Sequence, residues 1–271
     1  MEETGSIMLD SKSYSTIKFE HTEKVVRVIL NRPEVHNAFN EIMISELLDI
    51  YENISKMNDI RAVVLLGAGK SFCAGADLNW MQGVANYSYQ QNYAESLKLA
   101  ELFYLIYTLA KPTIAVVQGA AIGGGTGLAA VNDIVIASSL AKFSLSEVRL
   151  GLVPACISPY VIRKIGENRS RELFITGMRI DAEIAYNYGL ANQVVSDDEL
   201  DEVLERTLSR ILAGGPEAIK ICKRLLADVP GKSLSENKEY TASIIADLRV
   251  SDEGQEGMRA FFEKRKPKWS K

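Results

Sequence analysis

Apolar and polar residues alternate in two short segments near the start, "STIKFEH" (15–21) and "KVVRVILNRP" (24–33), each bounded by charged or turn-forming residues. That period of two predicts half-buried strands paired as a hairpin. The period then changes. In "NEIMISELLDIYENISKM" (40–57) the residues Ile42, Ile44, Leu47, Leu48, Ile50 and Tyr51 recur at helical spacing. "RAVVLLGAG" (61–69), "PTIAVVQG" (112–119) and "DIVIAS" (133–138) are continuous apolar runs, as expected of central strands buried on both faces. A loop over 71–83 and a long helix in "NYAESLKLAELFYLIYTLA" (92–110) fall between the first two of these runs. Strand, helix and strand repeat, so about the first 190 residues should form an α/β core. From about residue 167 the pattern becomes almost wholly helical. The expected organisation is a flexible N-terminal tail (1–14), a core (15–205) and a helical C-terminal region (206–271).

Composition narrows the chemistry. Of 271 residues, 47% are hydrophobic and 24% charged, which suits one large globular domain. The net charge of −4 gives no support to a nucleic-acid surface. Three separated cysteines, Cys73, Cys156 and Cys222, do not read as a disulfide framework. Only His21 and His36 could join them around a metal, so no metal site is expected. No apolar run is long enough to span a bilayer, and the acidic start does not resemble a secretory signal. The expectation is a cytoplasmic protein.

Two glycine-bearing loops carry the candidate chemistry. "GKSFCAGADLNWM" (69–81) follows the buried strand at 62–66, and "QGAAIGGGTG" (118–127) follows the strand at 113–117. Loops leaving the carboxyl ends of strands hold ligands in α/β folds, so both should open onto one crevice. Small residues let backbone N–H groups face a ligand, and the second loop runs into a helix whose first N–H groups lack partners. One N–H from each loop can hold a developing oxyanion. The alternative of a phosphate loop fails on spacing. "GAGKS" imitates the end of that motif, but its first glycine would fall at Val64 or Ala62, inside a strand.

"NRPEVHNAFN", "SFCAGADLNWM", "KPTIAVVQGAAIGGGTGLAAVNDIVIASSLAKFSLSEVRLGLVP", "LFITGMRIDAEIAYNYGLANQVV" and "FFEKRKPKW" follow one another in order. Together they resemble the enoyl-CoA hydratase/isomerase (crotonase) family over about residues 15–268. The resemblance implies a β-β-α spiral core, a helical C-terminal trimerisation region, and a homotrimer or dimer of trimers. It also implies acyl-CoA thioester substrates, with coenzyme A as part of the substrate and no separate cofactor. The oxyanion donors it implies are the N–H groups of Ala76 and Gly124. Ala74, Asp77, Leu78 and Asn79 would line the CoA and acyl path. Phe262 and Lys264 would touch CoA, in their own or a neighbouring subunit.

Hydratases of this family typically carry two glutamates, one two residues after the triple glycine and one twenty residues further on. Here the first position is Gly127 and the second is Glu147. Glu147 sits in an otherwise apolar stretch, where an unpaired carboxylate is costly and its pKa should rise. One glutamate fits a hydratase, a 3-enoyl-CoA isomerase that shuttles a proton, or a decarboxylase. A non-catalytic acyl-CoA-binding protein is the reading outside enzymes. Further likeness in "GADLNWM" and "LSEVRLGLVPACISPYVIRKIGENRSRELFITG" points to the methylglutaconyl-CoA hydratase group. A substrate of that kind carries a free carboxylate, for which Arg149 is a candidate partner. The absent side chain at Gly127 would leave room for a branched acyl group. Trp80, Met81 and Tyr160 are candidate pocket walls, His36 a candidate backbone contact, and Cys73 a packed thiol rather than a nucleophile.

Overall fold

A computed structural model describes residues 12–22 and 24–270. Strands β1 (Ile17–His21) and β2 (Val25–Leu30) form the expected antiparallel hairpin, with Ile17 opposite Leu30. Next come β3 (Ala62–Gly67), β4 (Thr113–Val117), β5 (Ala120–Ile122), β6 (Ile134–Ser138), β7 (Lys142–Ser144), β8 (Arg179–Asp181) and β9 (Gln193–Val195). They make a six-stranded sheet in the order β1-β2-β3-β4-β6-β9 and a three-stranded sheet in the order β5-β7-β8. From β2 to β9 every pairing of the large sheet is parallel.

The helices are α1 (Glu41–Lys56), α2 (Leu78–Val84), α3 (Tyr89–Thr108), α4 (Gly124–Ala130) and α5 (Ser158–Thr176). They continue with α6 (Ala182–Tyr188), α7 (Leu200–Ala213), α8 (Pro216–Asp228), α9 (Leu234–Val250) and α10 (Asp252–Phe262). The continuous apolar runs have a direct cause. Along β3, Val63 and Leu65 face a core shared with α1 and α3, while Ala62 and Val64 face a second core shared with α7. β4 repeats this with Ala115 and Val117 on one side and Ile114 and Val116 on the other. A strand covered on both faces has no reason to alternate.

Three expectations need correction, and one set of strands goes unread. Residues 12–14 belong to the folded body: the Lys12 ammonium and the Tyr14 hydroxyl both bond the Asp49 carboxylate, at 2.6 Å each. The start of the tail lies outside the described residues. The boundary at 205/206 falls inside α7, whose Val203, Leu204 and Leu208 close the second core, so the core runs to Gly214. The segment 71–83 is not all loop, because the Asp77 carboxylate caps α2 by accepting from the Asn79 and Trp80 N–H groups. The three-residue strands β5, β7, β8 and β9 went unread, being too short to show a period.

Candidate active site

The two glycine loops are zipped side by side. Cys73 N–H donates to the Ala120 carbonyl and Ile122 N–H to the Cys73 carbonyl, both at 3.0 Å. On its other side the first loop pairs with Phe39, whose N–H donates to the Gly75 carbonyl and whose carbonyl accepts from the Asp77 N–H. That pairing leaves the Ala76 N–H out of the ladder. The Gly124 N–H opens α4, where the first turn has no intrahelical partner to offer. The Phe39 ring packs on Gly124 so closely that a Cβ there would lie 2.3 Å from its Cζ. Two unpaired donors are thus carried by a glycine turn and a bridge that share one aromatic support.

Glu147 begins a short 3₁₀ turn (Glu147–Leu150) that ends at Gly151 in the left-handed conformation. Its Oε1 sits 3.0 Å from where a Cβ on Gly123 would be, and Gly123 has φ +53°, a left-handed conformation that favours glycine. Oε2 is closed off from solvent and has no hydrogen-bond partner. Burial pushes the carboxyl above its ordinary value, opposed only by its own backbone N–H. The group sits beside the residue that precedes one oxyanion donor, and among the described residues no cation pairs with it.

Ala76, Gly124 and Glu147 line one cleft of about 600 Å³, together with Ala74 and Leu78. Trp80 and Met81 form part of its wall. The other candidates stand elsewhere. Asp77 is buried against Arg32, 2.8 Å away. Burial alone would raise its carboxyl, but the guanidinium and the two capping N–H groups bring it below the ordinary value. It shapes the loop rather than lining the path. Asn79 is exposed and off the cleft. Arg149 is exposed too, with its Nε beside Gly177. Phe262 is 79% exposed, and neither it nor Lys264 borders the cleft. Tyr160 packs at a tilt against Tyr107, centroids 5.1 Å apart, and does not line the cleft.

Gly127 overturns an expectation. No room is left there: a Cβ would meet the Ile157 Cγ2 at 2.1 Å and the Phe103 Cζ at 3.4 Å. Ile157 borders the cleft and was missed in the sequence, as were Phe39, Ser96 and Cys156. They come from three separate segments with no shared motif, and only the tertiary fold unites them. Cys73 is fully buried and its thiol is pushed up to about 12 by that burial, so it packs. His36 Nδ1 lies 3.1 Å from the Ser71 hydroxyl, a structural tie.

The enoyl-CoA hydratase/isomerase family model matches residues 20–271. The chain belongs to the enoyl-CoA hydratase/isomerase family. Among curated relatives, a crotonyl-CoA hydratase of Syntrophomonas wolfei is 35% identical over 259 residues, 94% of this chain and 97% of that protein. Among solved structures, an enoyl-CoA hydratase from Shewanella pealeana superposes with a TM-score of 0.93 at 38% identity, covering 99% of this chain and all of the other. A Legionella pneumophila protein described as an enoyl-CoA hydratase/isomerase (crotonase) gives 0.91 at 46% identity over 95% of this chain and all of the other. The fold is therefore that of the crotonase family, as the motifs led one to expect. Membership and relatives named as hydratases support a hydro-lyase acting on an acyl-CoA thioester. Among the described residues, no helix is long and apolar enough to cross a membrane.

Proposed function

We propose that this family member adds water across the 2,3 double bond of a short 2-enoyl-CoA, with Glu147 as its sole catalytic carboxylate. The observation that carries the proposal is the half-buried Glu147 carboxylate packed on Gly123, its Oε2 shut from solvent without a partner, one residue before the unpaired Gly124 N–H. The thioester oxygen accepts from Ala76 N–H and Gly124 N–H. Glu147 takes a proton from water as the water oxygen bonds C3. The electron pair of the double bond moves onto the thioester, and the enolate oxygen is held by the two donors. Glu147 then returns the proton to C2, so one water is consumed and the carboxylate is restored. A carboxyl whose affinity for the proton is raised by burial suits both halves of that cycle.

Two acyl classes fit this scheme: a branched chain ending in a free carboxylate, as in 3-methylglutaconyl-CoA, and an uncharged branched chain. The first rests on the likeness to the methylglutaconyl-CoA hydratase group. The deciding assay follows loss of the conjugated thioester absorbance with crotonyl-CoA and 3-methylglutaconyl-CoA, beside a 3-enoyl-CoA, for wild type and Glu147→Gln. Hydration abolished by the substitution is expected. Conversion of the 3-enoyl substrate alone would make the chain an isomerase and end this proposal.

We also infer assembly through the helical end, as a homotrimer or a pair of them. Leu226, Leu234, Val250, Phe261 and Phe262 are all more than 75% exposed there, a large apolar area for one chain to leave in water. Phe262 and Lys264 would then reach a neighbour's CoA. Light scattering of the purified chain tests it.

A further inference from the structure

We propose that the acyl end of the cleft selects an uncharged branched chain and rejects a terminal carboxylate, and that Ile157 is the residue that sets this preference. The inference rests on the hydratase reading for its substrate class, but its geometry is independent of turnover.

The first observation is the charge of the wall. Among the described residues lining the cleft there is no lysine, arginine or histidine. The only charged group is Glu147, which would repel a second carboxylate. The remaining polar side chains are Ser96, Ser146, Trp80 and Cys156. Cys156 spends its S–H on the Ser96 carbonyl, 3.6 Å away. The Trp80 Nε1 is shut away from solvent and has no hydrogen-bond partner; it is a neutral donor and supplies no counter-charge. Arg149, the cation nearest in sequence to Glu147, is exposed and turned to Gly177. A carboxylate entering this wall loses its water and gains no counter-charge.

The second observation is what replaces the second acid/base group. Ile157 is 3% exposed and borders the cleft, and its Cγ2 occupies the space a side-chain stem at 127 would need. Phe103, fully buried, crowds the same point beside Gly127, and its ring packs on Tyr160, centroids 6.3 Å apart. Where a two-carboxylate site would present oxygen, this one presents a methyl-bearing surface. A branch methyl on the acyl chain packs on such a surface; a carboxylate or an ordered water does not.

The test is calorimetric binding of a matched saturated pair, 3-methylbutanoyl-CoA and 3-methylglutaryl-CoA, which differ by a terminal carboxylate. Wild type should bind the uncharged thioester at least about 10-fold more tightly. Ile157→Ala and the milder Ile157→Val should shrink that advantage and shift tolerance toward longer straight chains, with far-UV circular dichroism confirming the fold. Equal or tighter binding of 3-methylglutaryl-CoA by wild type overturns the proposal, as does an unchanged chain-length profile in both variants. Failure of hydration with a preserved binding preference would instead remove the hydratase reading and leave the selectivity standing.

Discussion

The Ile157 side chain occupies the position where residue 127 would project, its Cγ2 within 2.1 Å of the Cβ that Gly127 lacks. The two residues are thirty apart in sequence, yet the identity of one dictates the other. Gly127→Ala alone therefore overpacks the α4–α5 contact and should cost about 1–3 kcal/mol in urea unfolding. Ile157→Ala alone should cost about 2–4 kcal/mol through the cavity it leaves. Combined, they should cost less than their sum by about 1 kcal/mol or more. Strict additivity would mean that the two side chains are not in conflict.

Glu147→Gln should separate activity from stability. Because burial raises this carboxyl above 4.5, the fold favours its protonated form. That contribution is complete at low pH and is lost as pH rises through the raised value, so at neutral pH the ionised group weakens the fold. The glutamine variant should melt about 2–4 °C higher at pH 7.5, consistent with relief of about 1 kcal/mol. Its turnover should drop by at least about 100-fold. In wild type, kcat/KM should fall toward acid through a pKa above 4.5, and that limb should vanish in the variant. A lower melting temperature would show that the carboxylate has a stabilising partner.

The Arg32–Asp77 pair holds the first loop, and its loss should be felt in both fold and catalysis. Asp77→Ala strips the α2 cap and leaves a guanidinium only 18% exposed without its partner. A cost of about 3–5 kcal/mol is expected by thermal or urea unfolding. Asp77 titrates below its ordinary value, so its contribution is present at and above neutral pH and fades as pH falls below about 4. The melting temperature of wild type should drop there more steeply than that of Asp77→Asn. Parallel acid profiles would exclude this pair as a source of acid sensitivity.

Gly124→Ala tests the oxyanion geometry without removing a donor. The new methyl would sit 2.3 Å from the Phe39 ring, so the turn or the ring must move. Turnover should fall by about 100-fold, with KM changed far less, because a misplaced donor weakens the enolate more than the ground-state thioester. A variant with wild-type kcat would remove Gly124 from that role.

The sequence made the large elements readable for a physical reason. Runs such as 62–66 and 113–117 are apolar throughout because two cores claim opposite faces of each strand. The loops that bear Ala76 and Gly124, and the lone Glu147, were readable because glycines and an acid in an apolar context are locally unusual. Distances across the fold were not. That Gly127 marks a plugged position and not a vacancy depends on Ile157, and Asp77's retreat from the cleft depends on Arg32. Neither dependence leaves a mark in local periodicity. Arg149 was misplaced for the opposite reason: closeness to Glu147 in the chain suggested closeness in space, but the 3₁₀ turn sends its side chain to the surface.

The two-faced strands also bear on how such a chain can change over time. Val63, Leu65, Ala115 and Val117 pack toward the side that carries Cys73, Phe103 and Ile157, whereas Ala62, Val64, Ile114 and Val116 pack with α7 and neighbouring strand residues such as Val25 and Ile136. Odd-numbered substitutions along β3 and β4 therefore perturb heat tolerance and chemistry together. Even-numbered ones alter heat tolerance while the reacting centre stays blind to them, so a lineage moving to a warmer habitat has a set of positions it can explore without retuning its enzyme.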